Sequence, residues 1–224
     1  QAASGTDDPA QYQDILIRLT NFVDSCKDND KLKTRAIELY CKLLLEQNTP
    51  QNAERVLQII QNPLDTQSFN ARLLKAAALT RIGKLRQAVS LLTELTKDGN
   101  CKAARTAGIT VCKALERIDQ FQAETADYEQ FIEQCRHLIS SSLGCANSEA
   151  LVNYYTPVMI EISIIAAGKN ITQLAAIEYF LEKQANNKKD DLVWLRCRAR
   201  LLLGQQKYSE AFKAWAGIAN ILKP

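Results

Sequence analysis

Glycine and proline are scarce, 8 and 5 residues in a chain of 224, which leaves few places to turn and little of the punctuation that an all-β protein needs. Histidine occurs once, at His137, so His-rich metal sites and acid–base work by paired histidines are excluded. No GxSxG elbow, HExxH or glycine-rich phosphate loop is present. Apolar runs are short: none approaches the ~20 residues that cross a bilayer, and the most hydrophobic patch, VMIEISIIAA at 158–167, is interrupted by Glu161 and reads as a buried helix. The formal net charge of +3 lacks the clustered basic excess of a phosphate-binding protein. Together these absences predict a protein that is not an enzyme, carries no cofactor or metal, does not insert in membranes and has no nucleic-acid partner.

The seven cysteines are an odd number without small regular spacings. That pattern fits unpaired thiols used as small apolar core residues in a reducing compartment, so a cytoplasmic location is expected. Cys101 and Cys112, eleven residues apart on one helix, are separated by about 16 Å of helix rise and make neither a bridge nor a zinc site. Cys135 and His137, two apart on a helix, point in different directions and read as a buried thiol beside a surface histidine. Phe121, Tyr154, Tyr155, Trp194 and Trp215 read as core aromatics, with Tyr154 and Tyr155 opening an apolar helix. The mixed-sign run NNKKDD at 186–191 reads as a solvated loop.

What the chain does contain in quantity is Ala, Leu, Gln, Glu and Lys, the composition of an all-helical protein. Residues 1–10 are small, polar and acidic, and are expected to be a disordered lead-in or linker. The missing initiator methionine leads us to expect a fragment of a longer chain, with any targeting signal lying before it. From Gln11 onward apolar residues recur at three- and four-residue intervals. Ile15, Leu16, Leu19, Phe22 and Val23 form a first stripe, and Leu32, Ala36, Ile37, Tyr40, Cys41 and Leu44 form a second. Asn48, Thr49 and Pro50 then end that helix and start the next.

A helix, a short break and a second helix recur along the chain. Pairs are expected at 69–82 with 86–97 and at 192–203 with 209–222. The second helix of each places a small residue four before a bulky one: Ala53 with Leu57 and Ile60, Ala88 with Leu92 and Leu95, Ala211 with Trp215 and Ile218. A further set is expected at Ala175 and Tyr179. The steps from Ala53 to Ala88 and from Ala175 to Ala211 are 35 and 36 residues, a period of helical repeats. The interval from Ala88 to Ala175 is too long for two ordinary units. Residues 101–155 are therefore expected to be an irregular middle, with helices near 101–117 and 120–141 and a loop at 142–148.

These residues resemble the tetratricopeptide repeat family. Ala199, Leu202, Tyr208, Ala211, Trp215 and Ile218 fill six motif positions in the last unit. Ala76, Leu79, Leu85, Ala88, Leu92 and Leu95 fill them in the second, with Leu replacing the aromatic; Pro50 stands where the first unit would carry it. The resemblance implies a right-handed α-solenoid of antiparallel helix pairs over residues 11–224, about ten helices in all. Small alanines mark the close approach within each pair, and bulky residues fill the space toward the next.

The resemblance also implies that the first helix of each pair lines a concave groove. Carried over by position, the lining residues are Arg35, Glu38 and Lys42, then Asn70, Leu73, Ala77 and Arg81, then Arg196, Arg200 and Leu203. The basic excess among them favours an acidic peptide or helix of a partner protein. Arg81 and Arg200 are expected outside the core. The expected function is that of an adaptor or scaffold. Its alternative is an assembly module that self-associates or stacks on further repeats through the last helix, with Ile221 and Leu222 at its end.

Overall fold

In a computed structural model of the chain, residues 9–25, 31–60, 68–97, 99–118, 127–185 and 191–222 are described, and they are helical with short connections. Among them there is no strand. The expected lead-in at 1–8, Phe121, the start of the helix expected from residue 120, and the loop at 186–190 lie outside the described residues. The chain divides into two compact units, 1–91 and 92–224.

The first unit contains α1 (Pro9–Ser25), α2 (Lys31–Glu46), α3 (Pro50–Ile59) and α4 (Phe69–Arg81). Helix α1 already begins at Pro9, inside the expected lead-in. Helix α2 packs on α1, α3 and α4, and α3 also packs on α4. Helix α2 buries Ala36, Tyr40, Cys41 and Leu44, and the last three share a core cluster with Ala53 and Val56 of α3. Ala53 is fully buried, as a close-approach position requires. Helix α5 (Leu85–Leu95) spans the division between units and buries Ala88 and Leu92 completely.

The second unit contains α6 (Cys101–Glu116), α7 (Tyr128–Gly144), α8 (Glu149–Ala167), α9 (Ile171–Ala185), α10 (Leu192–Gly204) and α11 (Tyr208–Ile221). Each helix packs on the next in sequence, and α8 also packs on both α6 and α10. Helix α7 continues to Gly144, through part of the loop expected at 142–148. Helix α8 starts five residues before Tyr154 and runs straight through Pro157, so those tyrosines do not open it. At 19 residues it is the one helix among those described that is long and apolar enough, by length and composition, to cross a membrane. Glu161 and Pro157 had disguised that length. Pro157 lacks the N–H that an interior helical residue supplies, but its carbonyl accepts a hydrogen bond from the buried Cys197 thiol on α10 at 3.3 Å.

The turns inside three helix pairs share one backbone solution. Asn48, Gly83 and Gln206 all adopt positive φ, at 53°, 77° and 61°. Each stands five residues before the buried alanine of the following helix, Ala53, Ala88 or Ala211. Lys84 N donates to Leu79 O and Lys207 N to Leu202 O, both at 2.9 Å, the six-to-one bond that closes a helix end. Gly83 therefore corresponds to Gln206. Gly204 does something else: a Cβ there would come within 3.1 Å of Gly168 O and 3.2 Å of Leu174 Cδ1.

Two expectations are corrected. Ala175 and Tyr179 are exposed, whereas Leu174 is fully buried. Gly168 shares its positive φ with Gln206, not with Gly204 two residues earlier, and the turn after it is one residue longer than the others; the two offsets together put the inward position at 174 instead of 175. The expectation of unpaired thiols throughout fails at Cys101 and Cys145, which form a disulfide joining the start of α6 to the end of α7. The cysteine count thus gives no argument for a reducing compartment. Cys41, Cys135 and Cys197 are buried and in no disulfide.

Candidate functional site

Helices α6, α8 and α10 meet side by side in the second unit, and their shared side holds a group of polar residues. At its centre is Glu161, whose side chain is wholly buried on the most apolar helix of the chain. A buried carboxylate left alone would cost several kcal/mol, and it persists only with close cationic partners. Those come from α10 at a spacing of four, which puts them one turn apart on one face. Arg196 Nε and Nη2 reach Glu161 Oε2 at 2.9 and 2.7 Å, and Arg200 Nε reaches Oε1 at 2.6 Å. The Arg200 guanidinium also lies over the Trp215 ring of α11, 5.8 Å from its centroid. Arg200 is only 13 % exposed and Arg196 31 %.

Toward the start of α8, Tyr154 and Tyr155 face α6. Gly108 gives Tyr155 its place: a Cβ at that position would lie 2.5 Å from the ring and 2.8 Å from the hydroxyl. Burial pushes the Tyr155 phenol above its ordinary value. Tyr154 hydrogen-bonds to the Cys112 sulfur, and its pKa is pushed up to about 12, chiefly by the charge that Cys112 would carry, then by that hydrogen bond and by burial. Burial also raises Cys112, against the opposing pull of Tyr154 and Arg196.

In the first unit the corresponding side is formed by α2 and α4. Glu38 accepts from Ser68 Oγ and Asn70 Nδ2, both at 3.0 Å, and Ser68 in turn caps α4 by accepting from Ala71 N. Arg81 Nε donates to Asn48 Oδ1 at 3.2 Å, and partial burial lowers its pKa. Leu73 is half-buried, and Arg35 and Lys42 are exposed.

The structure thus brings Glu38 to Asn70, and Arg196 to Arg200, but not as an open row of cations. Arg200 belongs to the interior, contrary to expectation, because Glu161 needs it there. Sequence reasoning missed Glu161, although a carboxylate amid VMIEISIIAA was itself a signal that a pair of cations had to be found elsewhere. Cys135 is buried with its thiol pushed up to about 12, while His137 is exposed, so the two make no nucleophile–base pair. Among the described residues no group of three or more His, Cys, Asp or Glu side chains could hold a metal ion. Compared with family models, curated proteins and solved structures, the chain matches none.

Proposed function

We propose that this chain is a protein–protein interaction adaptor whose helix pairs follow the tetratricopeptide plan of a right-handed solenoid, and that it binds a peptide or helix of a partner along the even-numbered helices. The observation that carries this reading is their mutual packing. Helix α2 touches α4, and α6, α8 and α10 touch in turn, each time with an odd-numbered helix between them in sequence. Within each unit, neighbours packed in that way offer a shared side for an extended or helical ligand. The shared turn geometry at Asn48, Gly83 and Gln206 supports the repeat.

Recognition in the first unit falls to Arg35 and Lys42, exposed on α2 and alternating there with exposed Leu32 and Leu39. An acidic segment carrying apolar residues complements that surface. The test is affinity purification of a partner, followed by binding of wild type and an Arg35→Glu, Lys42→Glu double variant at low and high salt. Weakened binding by the variant, with an unchanged melting temperature, is the expected result. Equal binding rejects this surface.

A second reading, assembly by self-association, is favoured by α11. It exposes Tyr208, Phe212 and Ile221, with Phe212 75 % exposed, and Leu222 directly after it is exposed too. No membrane role is proposed for α8, since Glu161 and its arginines complete a protein interior there.

A further inference from the structure

We propose that Cys101–Cys145 is a reversible thiol–disulfide exchange site that reacts with an external dithiol while the fold around it stays intact. Three observations lead to this.

The first is position. Cys101 is the first residue of α6 and exposed, and Cys145 directly follows α7 and is half-buried, so a reductant can reach the bond without unfolding a helix. The second is that α6 and α7 hold together without it. Ser142 Oγ, buried on α7, lies 2.6 Å from Ala104 O of α6, and Ala107, Val111, Leu138 and Ile139 are completely buried in these two helices. The staple is peripheral to a packed interface. The third is selectivity. Cys41, Cys135 and Cys197 are in no disulfide and have no exposed surface, and burial pushes the Cys135 and Cys197 thiols far up, so that these two hold almost no thiolate near neutral pH. Cys112 is half-buried and held by Tyr154. Among the cysteines of the described residues, exchange is therefore confined to one pair.

The reduced state has its own stabilisation. A Cys101 thiolate would sit at the amino end of α6, where the helix dipole favours negative charge, with Arg105 one turn along on the same face. The steps balance as a two-electron exchange. A thiolate of the dithiol attacks the exposed Cys101 sulfur, the Cys101–Cys145 bond breaks, and Cys145 leaves as a thiolate that takes up a proton. The second thiol of the reductant then attacks its own sulfur in the mixed disulfide, so the reductant becomes a disulfide and Cys101 leaves as a thiolate. What changes in the protein is the corner from Cys145 to Ser148, no longer tied to α6.

The experiment uses the whole chain, equilibrated with reduced and oxidised dithiothreitol in varied ratio, quenched in acid, alkylated and read cysteine by cysteine by mass spectrometry, with circular dichroism on the same samples. Cys101 and Cys145 should become alkylated together, in a native spectrum, at least about tenfold faster than Cys112 and with Cys135 and Cys197 unmodified. In Cys145→Ser, the freed Cys101 should react with iodoacetamide with an apparent pKa below that of an ordinary thiol. If that variant does not fold, the titration of the unaltered protein decides alone. Reduction only after loss of the native spectrum, alkylation of all cysteines at one rate, or both thiols already free in protein handled under air would each overturn the proposal.

Discussion

Glu161 determines what Arg196 and Arg200 can do. Because the carboxylate is wholly buried, removing one partner leaves an under-compensated charge, and such losses cost about 3–5 kcal/mol. Arg200→Ala should therefore lower the urea midpoint strongly, whereas Arg35→Ala should leave it in place; equal midpoints would show that the pair contributes nothing net. Gly108 makes a second residue-scale case. Gly108→Ala puts a methyl group into the Tyr155 ring and should destabilise by roughly 1–3 kcal/mol, and Tyr155→Leu in the same chain should recover part of the loss in a double-mutant cycle. Cys135 supplies a pH dependence. Its folded pKa is raised from 9.0 to about 12 by burial, so the folded state holds a proton that the unfolded state gives up. Its contribution is complete below pH 9.0 and is lost as pH rises toward 12. Cys135→Ala should flatten the fall of stability over that window in thermal melts taken at stepped pH. In the sequence, Ala53, Ala88 and Ala211 were legible as buried because spacing alone fixes their face. Arg200 was not, because a long cation looks like a solvated residue until its buried carboxylate is known.

At the scale of the element, the turns explain why segments far apart in the chain look alike. The left-handed residue at each break is Asn48, Gly83 or Gln206, and only the glycine accepts that backbone without a steric cost. Gly83→Ala should cost about 1 kcal/mol. The glycine shared by the sequence pattern, Gly204, proved a misleading landmark, since its role is close packing against Gly168 and Leu174. Matching Gly168 with Gly204 instead of with Gln206 misplaced the stripe of α9. Leucine scanning checks the corrected register: Ala211→Leu should lose roughly 1–3 kcal/mol by overpacking, and Ala175→Leu should stay within about 0.5 kcal/mol of wild type. Reversed results would restore the original alignment. Helix existence was legible almost everywhere from periodicity. The extent of α8 was not, because an interior proline reads as a boundary.

For the molecule as a whole, the adaptor and assembly readings differ in mass. Light scattering across concentrations should give one molar mass for an adaptor; a mass that rises with concentration and falls back in Phe212→Lys would favour assembly through α11. The helical class was written in the composition. The disulfide was not, because Cys101 and Cys145 stand 44 residues apart and only the packing of α6 on α7 brings them together. The ion pair of Glu161 has a further consequence, one of timing. Its two arginines lie 35 and 39 residues downstream, so during synthesis the carboxylate leaves the ribosome well before either of them. Until α10 emerges, α8 cannot settle against its neighbours without stranding a charge, and the nascent chain should keep that helix open to protease and to chaperones. A chain halted after α9 should be cut within α8, and one extended through α10 should resist.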